Sequence, residues 1–375
     1  MNKVRFETDC VHAGREPDPA TGAVAQPIQL ATTFQRERDG SYPHGFTYGR
    51  AGNPNRAALE TCVAALEGGS DAVAFASGSA ATLAIFELLQ AGDHVVAPRE
   101  AYHGTLLQAR DLLPLRGVRV TFADMTDPAE LERACTTGTR LVWAETPANP
   151  RLGITDLGLA ARLSHACGAW LACDNTFATP VCQRPFDHGA DFIVHSATKY
   201  FGGHSDALGG VVVTRDAALG ARLRKWQAAA GAVLAPFDCW LIRRSIATLP
   251  LRVRRQCESA AAIAQFLAQH PAIERVFYPG LGSHPGHAVA ARQMHGFGAM
   301  ISVCVDGDRR RALEIAGRTR VFTRATSLGG IESLIEQRAS MEGPETTTPE
   351  NLLRLSIGIE HVDDLIADLK QALAS

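Results

Sequence analysis

The sequence predicts an α/β protein: a mainly parallel sheet covered by helices on both faces, followed by a smaller C-terminal α/β unit. Short apolar runs of about three to five residues alternate with helical stretches from about residue 56 onward. Runs that are apolar throughout belong to strands buried on both faces, which is the environment of a parallel sheet. After about residue 215 longer helices take over, and a second group of strand-like segments follows near the C-terminus.

Residues 1 to about 55 carry Gly and Pro at short intervals, from Gly14 and Pro17 to Gly52 and Pro54, with little periodicity. This segment reads as an extended arm with no core of its own. A helix is predicted over 56–68, a strand over 72–76, a helix over 79–90, a strand over 94–97 and a helix over 104–113. Further strands fall at Val118 to Phe122, Leu141 to Ala144, Trp170 to Cys173, Phe192 to Val194 and Val211 to Val213. Long helices are expected over 216–230 and 236–268, the second interrupted by Pro250. Strands at Ile273 to Phe277, Ala299 to Val305 and Leu353 to Ile357 precede an amphipathic helix from about 361. The expected domains are the arm (1–55), a sheet domain (56–240) and a C-terminal domain (241–375).

Composition narrows the function. The 375 residues carry 37 basic and 39 acidic side chains, a net charge of −2, so no electrostatic case for nucleic-acid binding exists. No run approaches the roughly 18 apolar residues of a membrane span, and Met1 to Gly14 lacks the apolar stretch of a signal peptide. A cytoplasmic chain with no membrane partner is expected. Nine cysteines lie scattered without a CxxC pair and read as reduced core thiols. Neither a P-loop nor a GxGxxG is present, since Gly280, Gly282 and Gly286 have the wrong spacing. His284 and His287 fall among Pro and Gly with no carboxylate at ligand spacing, so no metal site is predicted. Of the four lysines (Lys3, Lys199, Lys225, Lys370), only Lys199 is flanked by strand-like and glycine-rich sequence.

The chemistry-bearing residues cluster at two strand ends. Asp174-Asn175-Thr176 follows strand 170–173, and Ser196-Ala197-Thr198-Lys199 follows the strand ending at His195. Ligands of such sheets bind at the carboxyl ends of the strands. A lysine amine and a carboxylate there suit pyridoxal phosphate: the amine condenses with its aldehyde, and the carboxylate keeps its ring nitrogen protonated. An opposite charge at about 4 Å, with an effective dielectric near 20, contributes roughly 4 kcal/mol, or about three pKa units. Spacing alone leaves a second reading open, in which Asp174 caps a helix and Lys199 lies on the surface.

The run CDNTFATPVCQRPFDHGADFIVHSATKYFGGHSDALGG at 173–210 resembles the cofactor-lysine region of the transsulfuration enzymes of cysteine and methionine metabolism. That family includes cystathionine γ-synthase, cystathionine γ-lyase, cystathionine β-lyase and methionine γ-lyase. The likeness continues through YGRAGNPN at 48–55, FASGSAAT at 75–82, AYHGT at 101–105, ETPANP at 145–150, YPGLGSHPGH at 278–287, SLGGIESL at 327–334 and LLRLSIGIE at 352–360.

The resemblance implies an aspartate-aminotransferase-like large domain, the type I fold of pyridoxal 5'-phosphate enzymes. It assigns Lys199 the internal aldimine and proton shuttling, Asp174 the pyridinium contact, and Tyr102 ring stacking with a second proton-transfer role. Backbone N–H groups of Gly78 and Ser79 and hydroxyls of Ser196 and Thr198 would meet the phosphate, with Tyr48 and Arg50 arriving from a neighbouring subunit. The active unit would then be at least a dimer, and the family norm is a homotetramer. Asn149 would touch the ring hydroxyl, Arg354 would clamp the α-carboxylate of a small amino-acid substrate, and Ser327 and Glu332 would tune amino-group and side-chain recognition.

Three departures stand out: Ser79 for the usual Met, His103 for a Gly, and EQRASMEGP at 336–344, where Arg338 and Glu342 are extra charges beside the family's substrate entrance. The expected reaction is γ-elimination or γ-replacement on an amino acid such as cystathionine, an O-acyl homoserine, methionine or canavanine. Glu332 stands where γ-acting members place an acid and β-lyases an aromatic residue. The sequence leaves γ-synthase and γ-lyase open, with a β-lyase as chemical rival. A non-catalytic relative would be expected to lack Lys199 or Asp174, and both are present.

Overall fold

Asn53, Pro54 and Gly68 bound the first long helix, Pro54–Glu67. The Asn53 side chain accepts the N–H groups of Asn55 and Arg56, proline occupies the first turn, and Gly68 closes the end at φ 73°. The same asparagines pin the arm. Asn53 Nδ2 donates to the Gln29 carbonyl, and Asn55 accepts the Gln29 N–H while donating to the Pro27 carbonyl. The arm itself holds one short helix, Phe6–His12, and is otherwise irregular.

The computed structural model describes residues 4–342 and 346–374. Its strands, in chain order, are β1 (Asp71–Phe75), β2 (His94–Pro98), β3 (Arg119–Ala123), β4 (Thr139–Glu145), β5 (Trp170–Asp174), β6 (Phe192–Ser196) and β7 (Gly210–Thr214). Then follow β8 (Ile273–Phe277), β9 (Met300–Val305), β10 (Thr323–Arg324), β11 (Leu334–Gln337) and β12 (Leu352–Ser356). Every strand expected from the sequence is present, and β10 and β11 are additional.

The chain divides into two compact units. The first comprises the chain to Ala91 and residues Asp191–Pro250. In it β7 pairs antiparallel with β1 on one side and β6 on the other. The second comprises Gly92–Ala190 and the chain from Leu251 onward. Here β3, β2, β4 and β5 pair in parallel, and a separate sheet runs β10-β11-β12-β9-β8. Strands β2, β7, β9 and β12 are buried along their whole length, with His94, Ser302 and Arg354 among the buried residues.

The break in the predicted long helix comes earlier than its proline. Helices Pro236–Ile246 and Leu249–Ala268 part at 247–248, so Pro250 sits inside the first turn of the second helix. A first-turn residue needs no intrahelical N–H donor, which is why proline is tolerated there. The helix expected over 104–113 is α-helical only over His103–Leu107 and continues as a π-turn over Gln108–Leu112.

Candidate active site

In the first unit, β1 leads through Ser77 into helix Gly78–Phe86. The Ser77 hydroxyl accepts the Ala80 N–H at 3.1 Å and caps that helix. Gly78 and Ser79 thus occupy the first turn, where N–H groups lie beyond reach of the helix's own carbonyls. The Ser196 side chain lies against Gly78, and a Cβ at residue 78 would come within 2.9 Å of Ser196 Cβ and Oγ. A Cβ at Gly210 would meet the Ser77 carbonyl oxygen at 2.2 Å. Glycine at both places lets the β1 turn, the end of β6 and the start of β7 close together.

Thr198 and Lys199 follow β6 after Ala197. The Lys199 N–H donates to the Ser196 carbonyl at 3.1 Å and its own carbonyl accepts the Gly203 N–H at 2.7 Å, so backbone bonds shape the turn. The Thr198 hydroxyl is engaged with the N–H and carbonyl of Gly209, at 3.1 and 3.2 Å. Tyr48 and Arg50 lie on the arm, Tyr48 half-exposed at 49%, with the Arg50 guanidinium 5.7 Å from its ring centroid. Arg50 donates to the Ala228 carbonyl, while Arg56 holds the carbonyls of Gly49 and Arg50.

In the second unit, Asp174 ends β5 opposite Glu145 at the end of β4. Its carboxylate accepts the Thr176 N–H at 2.9 Å in a local turn, and the next helix begins only at Thr179, so Asp174 is not a helix cap. Glu145, a residue the motif reading passed over, is buried and accepts the N–H groups of Tyr102 and Asn149 at 2.8 and 2.9 Å. One carboxylate therefore sets the backbone under both. The Tyr102 ring lies over Gly104, where a Cβ would approach it to 2.5 Å.

Arg354, in the middle of β12, is buried and donates to Asn149 Oδ1 at 2.6 Å and to the Ser327 carbonyl at 3.2 Å. Ser327 is held at φ 90°, a strained value for a residue with a Cβ. Glu332 folds its carboxylate back over Gly330, where a Cβ would lie 2.8 Å away. Arg338 and Glu342 join the surroundings of Arg354, whereas positions 343–344 of the divergent segment lie outside the described residues. A cleft of about 470 Å³ is bordered by His103, Leu107, Arg110, Asn149, Glu342 and Thr348.

Burial, and then the neighbouring Asp174 carboxylate, push the Glu145 carboxyl up to about 8, against the pull of its two N–H donors. Below about pH 4.5 the group is protonated folded and unfolded; between there and 8 only the unfolded form ionises, so stability falls through that window. Glu145→Gln cannot ionise. In cofactor-free protein, the melting temperature of Glu145→Gln relative to the parent should rise steadily from pH 5 to pH 8, and a pH-independent difference would contradict the assignment.

Few groups call for residues of the kinds these units carry: an amine after a strand, a carboxylate at a strand end, an exposed tyrosine and a glycine-lined strand-to-helix turn. Pyridoxal 5'-phosphate does, and with no Cβ at Gly78 or Gly104 the residues fit it; the chain is an enzyme of that class. Residues 7–374 match the family model described as Cys/Met metabolism PLP-dependent enzyme. A cystathionine gamma-synthase from Mycobacterium tuberculosis is 48% identical over 372 residues, covering 98% of this chain and 96% of that protein. A cystathionine beta-lyase from Coxiella burnetii is 44% identical over 381 residues, covering 99% and 98%. The crystal structure of metB from Corynebacterium glutamicum superposes with a TM-score of 0.97 at 43% identity, covering 99% of this chain and 98% of that one. The chain belongs to the Cys/Met metabolism family of PLP-dependent enzymes, with its type I fold. Among the described residues no helix is long and apolar enough to cross a membrane, and no cluster could hold a metal.

Proposed function

We propose that this enzyme acts at the γ-carbon of a small γ-substituted amino acid, eliminating or replacing the substituent. The observation that carries this reading is Glu332, an acid folded against Gly330 in the same unit as Arg354. The 48% identical relative named as a cystathionine gamma-synthase supports it. A β-lyase is the second reading, favoured by the relative of that name at 44% identity.

When bound, pyridoxal phosphate supplies an electron sink that stabilises negative charge beside the substrate's α-carbon. In this proposal the Lys199 amine holds the cofactor between turnovers, takes the α-proton and redistributes protons along the substrate's carbon chain. Asp174 keeps the ring nitrogen protonated, Tyr102 covers the ring and serves as the second proton-transfer group, and Asn149 meets the ring hydroxyl. Gly78, Ser79 and Ser196 donate to the phosphate; Thr198 shapes that turn through Gly209 and adds its hydroxyl. Arg354 clamps the α-carboxylate, with Asn149 and the Ser327 carbonyl orienting the guanidinium. Glu332 recognises the substrate's distal part.

The proposal includes a cytoplasmic homotetramer of two active dimers, in which Tyr48 and Arg50 reach the phosphate of the neighbouring protomer. Its support is the arm: Val24 and Leu30 are 70% and 65% exposed in the single chain, and such apolar residues suit a covered surface.

The chemistry is separable by its products. Given cystathionine, the enzyme should release cysteine and 2-oxobutanoate; given an O-acyl homoserine and cysteine, it should form the thioether. Homocysteine as the main product from cystathionine would overturn the γ reading in favour of β-cleavage.

A further inference from the structure

Strands β11 and β12 pair antiparallel with Glu336 directly opposite Arg354. From there four buried charges alternate. Arg354 and Arg338 both donate to the same oxygen, Oε1 of Glu336, and Arg338 turns its Nε to Glu342 Oε1 at 2.7 Å. Glu342 Oε2 accepts the hydroxyls of Thr346 and Thr348 at 2.7 and 2.6 Å. The side chains of Arg354, Glu336, Arg338 and Glu342 are only 4%, 8%, 6% and 11% exposed. The other oxygen of Glu336 has no partner among the described residues, so the two guanidiniums compete for a single acceptor.

The electrostatics has the same alternation. Burial outweighs the neighbouring charges and leaves the Arg354 guanidinium lowered to about 10, with Glu336 and Glu342 pulling it up and Arg338 pushing it down. Two of the four charges, Arg338 and Glu342, are the ones by which this chain departs from the pattern it resembles.

We propose that Arg338 and Glu342 are positioning residues that set how much of the Arg354 charge reaches the substrate's α-carboxylate. Arg338 draws Glu336 off Arg354 and strengthens carboxylate binding; Glu342 draws Arg338 off Glu336 and weakens it. This rests on Arg354 being the carboxylate anchor. Removing Arg338 leaves Arg354 among two carboxylates, whereas neutralising Glu342 leaves Arg338 wholly to Glu336, so the two substitutions act in opposite directions.

The test uses the cofactor-loaded enzyme and two probes read by the visible absorption of bound cofactor. L-alanine carries the α-carboxylate without a γ-substituent, and ethylamine lacks the carboxylate. Arg338→Met should weaken L-alanine binding roughly tenfold and Glu342→Gln should tighten it roughly threefold, by Coulomb attraction at intermediate dielectric. Arg338→Lys should restore binding, and ethylamine should respond to none of the three. Shifts of equal sign in Arg338→Met and Glu342→Gln, or equal shifts with both probes, overturn the inference. Should Arg338→Met fail to fold, the near-isosteric Glu342→Gln decides alone: unchanged or weaker L-alanine binding overturns it. Arg354→Met separates the two levels. Unchanged L-alanine affinity there removes the anchor and the inference together. Weakened affinity there, with Arg338→Met and Glu342→Gln both silent, removes the inference only.

Discussion

Lys199→Ala is expected to give a folded, colourless and inactive protein. The turn it occupies is built from backbone bonds, Lys199 N–H to Ser196 and the Gly203 N–H to Lys199, which alanine keeps. On the role proposed for Lys199, what disappears is the amine, and with it both the covalent hold on the cofactor and the proton shuttle. The loss of a general base with a nucleophile amounts to roughly 10⁴-fold or more in kcat. The readouts are the visible band after adding pyridoxal phosphate, the turnover, and the melting temperature. A Lys199→Ala protein that keeps both colour and turnover would remove Lys199 from the mechanism.

Asp174→Asn is expected to lower kcat/KM by roughly 10³-fold, since an opposite charge at about 4 Å in an effective dielectric near 20 contributes roughly 4 kcal/mol. Asparagine can still accept the Thr176 N–H through its side-chain oxygen, so the turn after β5 should persist and the cofactor should still load. The deficit would then be chemical, visible as a fall in kcat with bound cofactor unchanged. A loss below about tenfold would mean that another charge protonates the ring.

The fold was legible wherever the physics is local. Apolar runs of about five residues between helices gave every long buried strand, because burial on both faces removes polar residues from the run itself. β11 escaped notice because it reads Leu-Ile-Glu-Gln, half polar, and is stabilised as a strand by its neighbour β12. That omission hid Glu336, whose importance comes from standing opposite Arg354. Glu145 was hidden for the same reason: nothing along the chain says that it faces Asp174 or that it accepts two backbone N–H groups. Asp174 could be singled out because it directly follows an apolar run, and Lys199 because it lies a few residues beyond another. Register between strands is a long-range property, and both missed carboxylates depend on it.

The boundary between the compact units is crossed three times, after Ala91, Ala190 and Pro250. Each unit is therefore sewn from two separate stretches of the gene. During synthesis the first unit lacks its second half until Pro250 has left the ribosome, and the second waits for the C-terminal segment, so neither can mature as an N-terminal piece. A domain swap with a relative would need paired exchanges of both stretches, and a single cut would leave each unit half-built.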